Sequence, residues 1–396
     1  MKKKNKHLLA QFLDSPRWSS VAVPLLSILL SMVVSSILLL ALGKNPLTAY
    51  GSFLRGCGLI PKAKYGGGKS QLSDFFVFLN LMAPMLLASL AFIVGSRAGL
   101  FNIGISGQML LGGYLAFVLV GYTDMGPWAA KHLVILVGIV GGGAYGALVG
   151  FLKYKFNIHE VVSTILINYI ISYLTGFSIN GWHANALTRT MEYTSEASRM
   201  SWTDVIIGGA KCSVPLGLFL AIIATVFVKF LFDRTVFGFE LRAVGVNNTC
   251  ARYTGIKVGS RIVWAMLISG MLAGLAGVCY YLGFTNTIVP KVLSSMGYDS
   301  IAVALLGNSS PIGVVFASFL ITVFQNGTTY MSSSCGVPKE IADLIIGILL
   351  LFSACGGYFK YVAHKTLAKD RDNRAYDEKK AEKQLETAES GKGEEA

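Results

Sequence analysis

The residues whose types could support chemistry are few, and their spacing argues against most of it. Gly66-Gly67-Gly68-Lys69-Ser70 resembles the end of a phosphate-binding loop, but the full pattern needs glycine where Ala63 stands and a strand before it. A flexible loop is the better reading. Gly141-Gly142-Gly143-Ala144-Tyr145-Gly146 satisfies G-x-G-x-x-G, yet it lies inside an apolar run with no strand ahead, so a dinucleotide turn is excluded. The same stretch sets Gly138, Gly142, Gly146 and Gly150 at steps of four, a helix face that another helix can approach closely. His132, His159 with Glu160, His183 and His364 have no partner at metal-ligand spacing. The six cysteines form no C-x-x-C pair and no nucleophile elbow is present, so metal, redox and hydrolytic chemistry all lack a motif.

Uncharged polar residues are placed more suggestively. Helical spacing over Gly99 to Gln108 predicts Asn102 and Ser106 on one face and Gly104 and Gln108 on another, within an otherwise apolar span. Such side chains can tie helices together or hydrogen-bond a neutral polar solute, and Asn168, Asn308, Gln325 and Asn326 carry the same two readings. Ionisable residues are scarce in the apolar runs, with only Asp299 and Asp343 near span edges. A proton wire through the chain is therefore not expected, whereas sodium coupling through backbone carbonyls stays open.

The elements that must hold these residues follow from composition. Of 396 residues, 53% are hydrophobic and 14% charged, against about 25% charge in soluble domains. With 44 glycines, this is the composition of packed membrane helices. Windows of about 19 residues mark apolar runs at 21–42, 75–95, 99–121, 133–152, 161–180, 213–232, 262–283, 311–325 and 341–359. The run 21–42 is too long for a signal-peptide core and is read as a retained span. Ser300 to Leu306 ends in Gly307-Asn308-Ser309-Ser310-Pro311 and reads as a broken span, allowed only where protein or a water-filled cavity surrounds it. The fold class is an all-α polytopic membrane bundle of about ten spans.

The net charge of +13 suggests nucleic acid at first sight. Lys and Arg are spread through short loops, however, and the tail from Lys360 balances its own charges, so the excess reads as topology-setting charge. No nucleic-acid partner is expected. The Lys/Arg bias favours both termini on the cytoplasmic side of the cell membrane: a basic cytoplasmic start at 1–20, a transmembrane unit at 21–359 and a charged, solvated tail at 360–396. Outer loops fall at about 43–74 and 181–212, and a long inner loop at about 233–261. In that inner loop, Arg242 to Val258 is basic, amphipathic and rich in small residues. It suits a short helix resting on lipid or a docking surface for a cytoplasmic partner.

Four segments carry a resemblance. Arg97-Ala-Gly-Leu-Phe-Asn-Ile-Gly104 with Gly107-Gln108, Arg242-Ala-Val-Gly245-x-Asn247 with Gly255-Ile-x-Val, Ser269-Gly-x-Leu-Ala-Gly-Leu-Ala-Gly277, and Ile301-Ala-Val-Ala-Leu-Leu-Gly307 with Pro311-x-Gly313 resemble permease subunits of ABC importers. Within these they look like the nucleoside and simple-sugar branch, related to ribose and branched-chain amino-acid permeases. The resemblance runs from about Leu42 to Tyr358; the basic segment Lys44 to Asp74 and the tail after Ala363 depart from it.

It implies a dimeric transmembrane domain built with a second permease subunit, as heterodimer or homodimer, beside cytoplasmic ATPase subunits and an extracytoplasmic solute-binding protein. ATP and magnesium would sit on the ATPase, with no cofactor in this chain and no enzymatic activity of its own. The coupling position falls on Arg242, Gly245, Asn247, Ala251 and Gly255. The solute path is expected near Asn102, Ser106, Gln108 and Asn308, and a path almost without charge suits a neutral nucleoside. The alternatives are a ribose-like sugar permease, an ion-coupled secondary transporter and a membrane-embedded enzyme, the last lacking any convergent catalytic set.

Overall fold

The computed structural model describes residues 10, 11, 13, 15, 19–62, 65, 69–185, 187–192, 195–207, 209–369 and 372. The basic amino terminus, the Gly66–Gly68 loop and most of the charged tail lie outside the described residues. Among those described, seven helices are long and apolar enough to cross a membrane, and a bent pair makes an eighth crossing. Two shorter apolar helices complete the ten segments read from hydropathy.

In chain order the helices are α1 (Ser19–Ala41), α2 (Pro46–Gly56), α3 (Gln71–Arg97), α4 (Ile105–Val120), α5 (Pro127–Phe156), α6 (Glu160–Ser178) and α7 (Leu216–Arg234). There follow α8 (Val236–Val246), α9 (Asn248–Tyr253), α10 (Val258–Cys279), α11 (Met296–Leu306), α12 (Pro311–Cys335), α13 (Lys339–Ala354) and α14 (Gly356–Lys369). Helices α13 and α14 form the bent pair, turned by 44°.

The fold is not wholly helical. Between α6 and α7 the chain forms β1 (Met191–Glu192) and an antiparallel hairpin of β2 (Ser201–Ile207) and β3 (Ala210–Pro215), bulged between Trp202 and Val205. Strand β4 (Thr287–Ile288), just after α10, pairs with β1. This small cap marks the hairpin face of the bundle; the turn after Arg97 marks the opposite face.

Helix α3 is the central post, with Phe78, Met85, Leu87, Leu90 and Ile93 all fully buried. Ser70 starts it by accepting a hydrogen bond from Ser73 N, which satisfies one of the donors a helix amino terminus leaves unpaired. Beside it α5 and α10 meet along the expected glycine stripe. A Cβ on Gly142 would stand 2.3 Å from Gly270 O, and one on Gly146 2.1 Å from Met266 O. Only a hydrogen fits there, so the two backbones touch and gain the dense contact that drives helix association in lipid.

Two departures shape the interior. Ala98 to Gly104 is not helical: α4 begins at Ile105, after an irregular stretch that re-enters the bundle beyond the end of α3. The broken span also begins earlier than expected, at Met296. From β4 the chain runs as turns and extended backbone to Ser294, whose carbonyl accepts a hydrogen bond from Ser106 Oγ at the second residue of α4. The 11-residue α11 then covers about 16 Å, roughly half of a ~30 Å hydrocarbon core. Irregular backbone at this depth is tolerable because protein surrounds it.

Candidate functional site

The four residues expected along a solute path occupy two places. Asn102, Ser106 and Gln108 are each 0% exposed. Asn102 Nδ2 donates to Ser269 Oγ at 2.8 Å and to Gln108 Oε1 at 3.1 Å, while its Oδ1 accepts from Gly104 N at 2.9 Å. Ser269 Oγ donates in turn to Ala91 O at 2.6 Å. Asn102 and Gln108 are therefore bonded partners, one on the re-entrant stretch and one on α4, and not opposite faces of one helix. Ser106 ties α4 to the entry of α11. Asn168 does similar work, accepting from Gly107 N at 3.1 Å and from the Tyr145 hydroxyl at 2.8 Å. These groups bond one another in the dry interior, where an unmet polar atom would be costly.

Asn308 lies at the other place, in the turn between α11 and α12 on the Arg97 face, where its Oδ1 accepts from Lys360 Nζ at 2.7 Å. Beside it Arg97 Nη2 donates to Ser309 O at 2.8 Å, clamping the end of α3 to the same turn.

A cavity with mixed polar and apolar lining lies elsewhere, among α3, α10, α11, α12 and α13. It encloses about 770 Å³. Its first wall is the last turn of α10, which widens to a π-helix over Tyr280–Thr285 and sets Tyr280 and Phe284 side by side, ring centroids 6.1 Å apart at 31°. Such wide turns often sit at functional sites. The second wall is α11, which offers Ser295 and Asp299 one turn apart. The third is α12, with Gln325, Asn326 and Thr329 on one face. Lys339, Asp343 and Gly347 of α13 complete it.

Gln325 Nε2 donates to Asp299 Oδ2 at 2.9 Å, so the carboxylate is held in place. Asn326 is anchored through Nδ2 to Gly56 O at 3.0 Å, which draws α2 into the wall. Asp299 is thus an ionisable group on a half-length helix lining a cavity, a placement that in membrane proteins marks a solute or ion path. Sequence reasoning put it at a span edge because it began the broken span at Ser300, one residue after Asp299, whereas the helix starts at Met296. The spacing Gln325, Asn326, Thr329 on an apolar helix was the available signal.

The inner-loop residues also separate on inspection. Asn247 ends α8 and caps α9, its Oδ1 accepting from Thr249 N at 2.9 Å and Cys250 N at 3.0 Å. Gly255 has φ +84° and turns the chain back towards α10. Gly245 seats α8 on the re-entrant turn: a Cβ there would lie 2.2 Å from Arg97 O. Ala251 is buried and Arg242 half-buried. These residues shape the element, whereas the surface it presents is Val246, 88% exposed, Tyr253, 89% exposed, and the exposed Thr249, Arg252 and Lys257. Glu240 pairs with Arg261 Nε at 2.5 Å, fixing α8 to the first turn of α10.

Comparison with known proteins places the chain among transporter permeases. The family described as branched-chain amino acid transport system / permease component matches residues 75–354. The guanosine ABC transporter permease protein NupP of Bacillus subtilis (strain 168) is 34% identical over 88% of this chain and 97% of its own length. The nucleoside ABC transporter permease protein NupB of Lactococcus lactis subsp. cremoris (strain MG1363) is 32% identical over 84% of this chain and 90% of its own. The glucose ABC transporter permease protein TsgB13 of Haloferax volcanii is 26% identical over 87% of this chain and 90% of its own.

Proposed function

We propose that this chain, which belongs to the branched-chain amino acid transport system / permease component family and is a permease subunit of an ABC transporter, imports a nucleoside. The observation that carries the reading is the cavity, whose lining joins two aromatic rings, Tyr280 and Phe284, to two carboxylates, two amides, the Ser295 and Thr329 hydroxyls and the Lys339 ammonium. A nucleoside presents a flat ring to stack and a rim of donors and acceptors to bond, and at about 770 Å³ the space accommodates one with its waters. The two nucleoside-permease relatives support the same cargo, and the glucose-permease relative keeps a sugar as the second reading.

The solute path then follows the cavity wall formed by Asp299, Gln325, Asn326 and Tyr280. Asn102, Ser106 and Gln108 hold that wall from behind, and Asn308 stands at its cytoplasmic end. In this arrangement both termini and the α8–α9 element face the cytoplasm, and the hairpin faces outward, where an extracytoplasmic solute-binding protein delivers the cargo. A second permease subunit completes the path. ATP and magnesium bind on a separate cytoplasmic ATPase, which grips α8–α9.

Force can reach the cavity through contacts described above. Gly245 rests on the 97–99 turn, Arg97 holds Ser309, and Ser309 joins α11 to α12, whose side chains line the cavity. An ATPase that binds this element better in one access state than in the other shifts the balance between the states by that difference in affinity.

The test is uptake of labelled guanosine by cells stripped of their own nucleoside carriers and supplied with the whole transporter. Competition by excess unlabelled nucleoside, with no effect of glucose, is the expected pattern. No transporter-dependent uptake of labelled guanosine, beside transporter-dependent uptake of labelled glucose, would replace the nucleoside reading with the sugar one.

A further inference from the structure

The cavity wall carries more than a capacity for polar solutes; it has a chemical sense. Asp299 brings two acceptor oxygens and no donor when ionised. Gln325 spends one N–H on Asp299 Oδ2 at 2.9 Å, which holds the carboxylate in place at the cavity. Asp299, on α11, and Gln325, on α12, line the same cavity as the Tyr280 and Phe284 rings. A solute ring stacked on those aromatics shares the cavity with the Asp299 carboxylate.

Resting on the nucleoside reading, we propose that Asp299 is a specificity-determining residue that takes two adjacent N–H or O–H donors of the solute, with Gln325 as its positioning residue. Two sources on a nucleoside have this chemistry: the N1–H and 2-amino edge of a guanine-type base, and the 2′,3′-diol of ribose. A carboxylate accepting two donors at once forms strong charge-assisted bonds, and a half-buried carboxylate left without them in an occupied cavity disfavours the wrong solute.

The experiment compares the wild-type transporter with Asp299→Asn, both expressed with their partner subunits. Asparagine keeps the size of the side chain and can still accept from Gln325 Nε2, but it has one acceptor oxygen in place of two. Uptake of guanosine, inosine and 2′,3′-dideoxyguanosine is measured, and each is reported as the ratio of variant to wild type. That ratio divides out the preference of the solute-binding protein, which both share. Assembly with the ATPase confirms that the variant folds.

If the base edge is read, the variant loses about tenfold or more of guanosine and dideoxyguanosine uptake and little of inosine uptake. If the diol is read, guanosine and inosine fall together and dideoxyguanosine is spared. Equal losses for all three solutes, or no loss for any, would overturn the proposal. A wild-type transporter that carries glucose and no nucleoside would end the nucleoside reading. The proposal would then stand or fall on whether Asp299→Asn reduces glucose uptake more than uptake of an analogue lacking one hydroxyl of the diol.

Discussion

At the scale of single residues, glycine and the amides do the structural work that charge does in soluble proteins. Gly142 faces Gly270 and Gly274 across the α5–α10 seam, and a methyl group there would stand 2.3 Å from Gly270 O, with backbone on both sides and nowhere to move. Gly142→Ala is therefore expected to cost about 1–3 kcal/mol through overpacking, despite the better helix propensity of alanine. Gly51, in α2, has nothing within 4 Å of such a methyl, so Gly51→Ala should be neutral or stabilise by up to about 1 kcal/mol. Thermal unfolding of the two purified variants in detergent checks the contrast. Equal melting shifts would mean that the seam is looser than described.

Among elements, the pair α8 and α9 is the surface proposed above for docking the ATPase. Gly245 and Ala251 build its inner side and Val246 and Tyr253 its outer side, so substitutions on the two sides should fail differently. Tyr253→Ala is expected to leave a folded, inserted permease whose ATPase hydrolyses nucleotide with little transport. Gly245→Val should instead reduce the yield of folded protein, because its side chain collides with the main chain at Arg97. Uptake per mole of ATP hydrolysed, measured beside protein yield, separates the two. Full coupling in Tyr253→Ala would remove this face from the docking surface.

Elements were legible to different degrees, for physical reasons. The long spans and the Gly138–Gly150 stripe could be read because hydrophobicity and small-residue spacing are local properties of a helix. Helix α2 was missed in the basic outer segment, although Asn45 followed by Pro46 is a helix-start pair and Asn45 does cap it, accepting from Leu47 N. The hairpin of β2 and β3 was missed inside an outer loop, although Gly208-Gly209 between β-prone runs was a turn signal. The bend that takes Asn102 out of α4, and the placing of Asp299 at a cavity, depend on contacts with Ser269, Ser106 and Gln325. Those partners are far off in sequence, and no local pattern announces them.

For the whole molecule, the design is a bundle whose cavity, lined by polar and apolar side chains, is joined to the α8–α9 element by a short chain of contacts at the Arg97 face. Arg97, Gly99 and Gly245 belong to both ends of that chain, which is why three of the four segments of the family resemblance converge at or beside the re-entrant turn. The motor stands outside the chain, on a separate ATPase subunit. The most direct measurement is nucleoside uptake into sealed vesicles that hold the permease subunits, with the solute-binding protein added outside and ATP inside, with and without the ATPase. Accumulation against a gradient only when the ATPase and hydrolysable ATP are both present is the predicted result. Accumulation by the permease alone, driven by a sodium or proton gradient, would contradict it.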